Sequence, residues 1–190
     1  MEDIKITIEK NGELSVLHLK SDKSLFDIIN AIGNITKEDD IQTFIGREFR
    51  VKQANFSVSE RNVIRGIHYS NAIAGQGKWI TCLNGSLWDV IVDIRQNSPT
   101  FKKWIGIELS STRGDSIFIP EGLGHAFMAL EDQTIAAYLL TSNYMPDHEF
   151  SINPFDADIN IDWPGKDFIL TEKDRFAPTL REQLDNGKLR

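Results

Sequence analysis

Apolar and polar residues alternate over residues 4–8, through Ile4, Ile6 and Ile8, and again over residues 14–19, which predicts two strands. Asn11-Gly12 between them predicts a hairpin turn. The period then changes. Leu25, Ile28, Ile29 and Ile32 fall at i, i+3, i+4 and i+7, the stripe of an amphipathic helix over about 23–32. Ser21 or Asp22 can cap its start, and Gly33 stands where its C-terminal cap would. From residue 49 to 144 the chain consists of short runs rich in Val, Ile, Trp, Phe and Tyr, broken by turn residues. Residues 79–83 and 87–94, around Asn84-Gly85, predict the strongest hairpin; residues 104–109, 116–119, 127–130 and 134–141 continue the series. Many short strands with few helices predict an all-β protein, a double-sheet jelly-roll barrel with a few short peripheral helices. The tail returns to helix. Pro178 suits a first helical position, and Leu180 and Leu184 lie one turn apart before Gly187.

No linker, repeat or shift of composition divides the 190 residues. One domain is therefore expected, with an N-terminal arm and helix over about 1–48, a jelly-roll core over about 49–165 and a C-terminal segment and helix over about 166–190. The net charge is −7 and no basic stripe occurs, so nucleic acid is not an expected partner. Such a chain must meet an anionic ligand with a few focused cations. The acidic start, Met1-Glu2-Asp3, leads into no apolar signal core, and no stretch approaches a membrane span; a cytoplasmic protein is expected. The single cysteine, Cys82, has no internal partner and lies in a strand-like run, where it reads as a buried apolar residue.

The four histidines, His18, His68, His125 and His148, include no His-x-His pair, and no His-Cys-Asp cluster has ligand spacing, so no metal is expected. Arg65 and His68 are three apart in a strand-like stretch. That odd spacing puts them on opposite faces unless a bulge at Gly66 intervenes. The Gly-rich bend from Pro120 to Phe127 would place His125 at a barrel mouth. Spacing alone leaves both histidines open between structural and functional roles. Tyr138 fits a core position equally well, Lys78 reads as a solvated lysine at a strand entrance, and Asp174, in a charged stretch, reads as surface.

Taken together, the segments Gln53-Ala54-Asn55-Phe56-Ser57-Val58-Ser59, Val63-Ile64-Arg65-Gly66-Ile67-His68-Tyr69, Gln76-Gly77-Lys78 and Asp89-Val90-Ile91-Val92-Asp93-Ile94-Arg95 resemble the dTDP-4-dehydrorhamnose 3,5-epimerase family. The resemblance continues through Ser98-Pro99-Thr100-Phe101, Ile119-Pro120-Glu121-Gly122, His125-Ala126-Phe127, Ile161-Asp162-Trp163-Pro164 and Thr171-Glu172-Lys173-Asp174. Their order and spacing, over about three quarters of the chain, make it specific. It implies a cupin-like jelly-roll barrel that binds a nucleotide-linked 4-keto-6-deoxyhexose and inverts C3, C5 or both. His68 matches the general base, Asp174 its paired carboxylate, Tyr138 the acid on the opposite face and Lys78 the cation near the C4 oxygen. Arg65 resembles a pyrophosphate-binding arginine, Gln53 and Asn55 substrate-facing residues, and His125 a second active-site histidine. The resemblance further implies no nicotinamide, flavin or metal, and a homodimer.

The chain departs from the family near its N-terminus. The family's Asp-x-Arg-Gly-x-Phe stretch finds its nearest match in Lys10-Asn11-Gly12-Glu13-Leu14-Ser15-Val16, without the arginine. An apparent insertion, including the helix over about 23–32, separates this stretch from Gln53. Residues 124–130 and 137–140 look more like antibiotic-sugar epimerases than rhamnose-pathway enzymes. The nucleotide and the number of centres inverted stay open. The alternatives are a sugar-nucleotide 3,4-ketoisomerase and an inactive sugar-nucleotide-binding module.

Overall fold

The computed structural model describes residues 5–11, 14–20, 46 and 48–189. The helix expected over about 23–32 lies outside them. Among the described residues, twelve strands form two sheets packed face to face as a jelly roll. The first sheet runs β1 (Lys5–Asn11), β2 (Leu14–Lys20), β8 (Ser116–Ile119), β5 (Lys78–Asn84), β10 (Thr134–Leu140), β3 (Gln53–Ser59). The second runs β11 (Glu149–Ser151), β4 (Val63–Ser70), β9 (Leu123–Ala129), β6 (Ser86–Asp93), β7 (Trp104–Ser110), and β12 (Ile169–Leu170) pairs with β4 in parallel. Two short helices follow, α1 (Glu172–Arg175) and α2 (Leu180–Asp185). No helix among the described residues is long and apolar enough to cross a membrane.

The strand period of two sorts side chains between two cores. Leu87 and Ile91 of β6, with Leu123 and Phe127 of β9, point between the sheets and meet Ile80, Cys82, Ile117 and Ala136. The alternate residues Val90, Val92, Ala126 and Met128 point outward, where Ile152, Ile159, Trp163, Leu180 and Leu189 of the C-terminal segment cover them. The second sheet is thus buried on both faces. Cys82 is fully buried, as its strand-like context predicts, and burial pushes its thiol up to about 12.

The expected hairpin between residues 79–83 and 87–94 does not form. β5 pairs with β8 and β10, β6 pairs with β7 and β9, and the chain crosses from one sheet to the other through Gly85. Asn84-Gly85 does reverse the chain, with Gly85 at φ +71°. A Cβ there would sit 2.8 Å from Thr134 Oγ1. Both flanking strands are buried on both faces, a condition that side-by-side pairing in a half-solvated hairpin would not meet. The N-terminal hairpin forms as expected, with Lys5 opposite Lys20 and Asn11 opposite Leu14. Pro178 lies two residues before α2 rather than at its first position. Thr179 is the N-cap and shares a capping box with Glu182.

Candidate active site

β4 carries Arg65 and His68 on one face. Ile64, Ile67 and Tyr69 all belong to the outer core, so an undisturbed alternation would have turned His68 outward with Ile64. Between Arg65 and His68 the register against β9 shifts: Arg65 faces Phe127 and His68 faces His125, three steps on one strand against two on the other. This is the bulge that the odd spacing called for. Gly66 sits at φ +115°, and a Cβ on it would lie 2.6 Å from Ala126 Cβ, so the bulge requires glycine.

Arg65 and His68 open onto a cavity of about 580 Å³. Lys78, Tyr138, Gln53, Asn55 and His125 line it too. Asp174 lies behind His68, 2% exposed, with its Oδ1 2.6 Å from His68 Nε2. All eight residues singled out from the sequence thus converge on one place, although Asp174 had read as surface when taken alone. It is buried because β12 binds β4 at Val63 and Ile64 and delivers α1 beneath the histidine.

Burial lowers the His68 pKa against the opposing hydrogen bond and charge of Asp174. Burial works to raise the Asp174 pKa, but hydrogen bonds from His68, Thr171 and the Gly66 amide hold it below the usual carboxylate range. The pair therefore rests as neutral imidazole and carboxylate. A carboxylate only accepts, so Nε2 carries the proton and Nδ1 is the basic nitrogen.

Lys78 is 7% exposed, not solvated, and its Nζ donates to the His68 carbonyl oxygen at 3.3 Å. Burial brings its pKa down to about 8, against Glu149 and Asp89, which favour the charged form. Tyr138 reaches in from β10, in the sheet opposite His68. Its hydroxyl lies 3.3 Å from Ser57 Oγ, its ring meets His125 edge-on, and burial raises its pKa. His125 belongs to β9 itself and is buried on the cavity floor, not carried on a bend at the mouth. Its Nε2 is 2.8 Å from Asp89 Oδ2. Arg65 donates to Ser59 Oγ and to the Val58 carbonyl. Gln53 and Asn55 share one face of β3, joined by a 3.0 Å hydrogen bond, and the Tyr144 amide donates to Gln53 Oε1.

Sequence reasoning missed Asp89, Glu149, Tyr144 and Lys173. Asp89 carried a signal: it alternates with Leu87 and Ile91, so a carboxylate sits on an otherwise apolar inward face. Glu149, Tyr144 and Lys173 come from peripheral segments whose local sequence says nothing of the cavity. Among the described residues, no three His, Cys, Asp or Glu side chains are grouped to hold a metal ion.

A family model described as dTDP-4-dehydrorhamnose 3,5-epimerase matches residues 34–182. The protein of that name from Mycolicibacterium smegmatis is 43% identical over 147 residues, 77% of this chain and 72% of its own. NovW, a 4-keto-6-deoxy sugar epimerase from the novobiocin biosynthetic gene cluster of Streptomyces spheroides, has a crystal structure similar at TM-score 0.86 and 33% identity, over 97% of this chain and 92% of that one. ChmJ, a 3′-monoepimerase from Streptomyces bikiniensis solved in complex with dTDP-quinovose, is similar at TM-score 0.77 and 38% identity, over 80% of this chain and 78% of that one.

Proposed function

The chain belongs to the dTDP-4-dehydrorhamnose 3,5-epimerase family, and we propose that it inverts carbon configuration beside the ketone of a dTDP-linked 4-keto-6-deoxyhexose. The observation that carries this reading is the opposition of two proton-transfer groups across one cavity. His68, backed by Asp174, stands on one sheet, and Tyr138 stands on the other. Inversion needs that opposition, because a single group returning its own proton would restore the starting centre.

The C4 ketone acidifies the hydrogens on C3 and C5. His68 takes one of them from one face of the sugar. The imidazolium that forms is stabilised by the Asp174 carboxylate, and the electron pair moves onto the C4 oxygen as an enolate. Lys78 supplies positive charge for that oxygen. The Tyr138 phenol, kept protonated by burial, returns a proton to the opposite face. Arg65 offers a guanidinium fork to the diphosphate. Gln53 and Asn55 face the substrate, and His125 contacts the sugar from the cavity floor. C3 is the centre common to the activities named for the relatives, and C5 is the second candidate.

A homodimer belongs to the same proposal. β3 is an edge strand, and its register against β10 lines up Ala54, Phe56 and Val58 with Leu139, Ala137 and Ile135 in one outward-facing apolar patch. Phe56 is 74% exposed and also reaches the cavity rim, so a second copy covering the patch would border the site.

The test is conversion of dTDP-4-keto-6-deoxyglucose, with the configuration at C3 and C5 read by proton NMR. Inversion at either carbon is expected. A sugar that keeps its original configuration after prolonged incubation would reject the proposal.

A further inference from the structure

We propose that Thr171 is a positioning residue for the proton-abstracting pair: one hydroxyl caps α1 and also orients the Asp174 carboxylate toward His68. The inference rests on reading His68 as the base. The Thr171 Oγ1 accepts from the Asp174 backbone N–H at 3.2 Å, the N-cap bond of the helix. The same hydroxyl donates its hydrogen to Asp174 Oδ2 at 2.9 Å. With Oδ2 so engaged, Oδ1 is the oxygen left to face His68 Nε2 at 2.6 Å. The cap fixes the backbone of Asp174 while the donated bond, together with that from the Gly66 amide, fixes the rotation of its carboxylate, and β12, one residue earlier, ties the segment to the strand that bears His68. A hydroxyl is needed for both bonds. Serine can make them, whereas valine keeps the shape of threonine and can make neither.

The experiment compares T171V and T171S with the parent protein, and uses T179V as a control. Thr179 caps α2 in the same way and lies outside the cavity lining, so T179V measures the effect of losing a helix cap alone. Steady-state kinetics are read alongside NMR titration of the His68 imidazole in substrate-free protein. The charged groups bearing on His68 are Asp174 and Lys173 from α1 and Lys78 from β5.

T171V should lower kcat by about 10- to 100-fold, as loss of an outer partner typically does, with KM within about two-fold because no substrate contact is removed. The His68 titration midpoint should move downward, because a carboxylate no longer held toward Nε2 stabilises the imidazolium less. T171S should restore both kcat and the midpoint. The proposal is overturned if T171V behaves like T179V, losing thermal stability with kcat and the His68 midpoint unchanged, or if T171S is as impaired as T171V. Should the parent protein convert no sugar, the epimerase reading fails, and the His68 titration still decides whether Thr171 orients the pair.

Discussion

At the scale of single residues, two groups with lowered pKa values bracket the working pH. His68 must be neutral to take a proton, so kcat/KM should fall as the pH drops through its pKa, which burial holds below the ordinary 6.5. Lys78 must be charged to face an enolate, so the rate should fall again as the pH rises through about 8. K78R should move the alkaline limb upward, and K78M should lose about a hundred- to thousand-fold in kcat. A rate that holds unchanged as the pH rises past about 9 would deny the role of Lys78. D174N should cost comparable activity while leaving the fold intact by circular dichroism, since an amide cannot stabilise the imidazolium with charge. Asp174 also marks where local reading fails. Its partner lies 106 residues away, and nothing in its charged neighbourhood distinguishes it from a solvated aspartate. The family resemblance found it because the order of segments along the whole chain carries information that composition and period do not.

At the scale of elements, the bulge in β4 is the device that makes a site out of a strand. The odd spacing of Arg65 and His68 made it legible, since two polar residues three apart can share a face only if the alternation breaks. G66A would force an alanine into φ +115° and its Cβ to within 2.6 Å of Ala126. The backbone cost alone is about 1–3 kcal/mol, and at about 2–4 °C per kcal/mol the melting temperature should fall by several degrees, with activity lost as His68 turns away. Unchanged stability and activity would mean that the bulge is not needed. The crossing at Gly85 teaches the converse. Asn84-Gly85 marks a reversal correctly, but which strands pair is decided by burial of both faces, and a local turn signal contains no term for that. Asp93, at the end of β6, shows how such a strand end is secured. Burial pushes its pKa up, yet hydrogen bonds from Arg95, Ser98 and Thr100 outweigh this and hold it at about 2. Its stabilising contribution is therefore full above the unfolded value near 3.8 and is lost as the pH falls toward about 2. D93N should reduce the melting temperature at pH 7 and flatten its dependence on pH in that acidic window; an unaltered acid transition would assign the stability elsewhere.

At the scale of the whole molecule, the second sheet is covered by the C-terminal segment, while the β3 edge of the first sheet carries an apolar patch left open among the described residues. Sedimentation velocity should give a dimer for the parent protein and a monomer for F56E. A parent protein that sediments as a monomer would remove the dimer from the account. The jelly-roll class was legible in the run of short strands. The division of those strands between two sheets was not, because it follows from contacts far apart in sequence. Inversion requires a proton to leave toward one wall of the cavity and another to arrive from the opposite wall. The most direct test is the Y138F variant, incubated with dTDP-4-keto-6-deoxyglucose in heavy water and followed by proton NMR. The account predicts that His68 still exchanges the hydrogen beside the ketone for deuterium, with the configuration retained and inversion reduced at least about a hundredfold. Inversion at the parent rate, or no exchange at all, would contradict it.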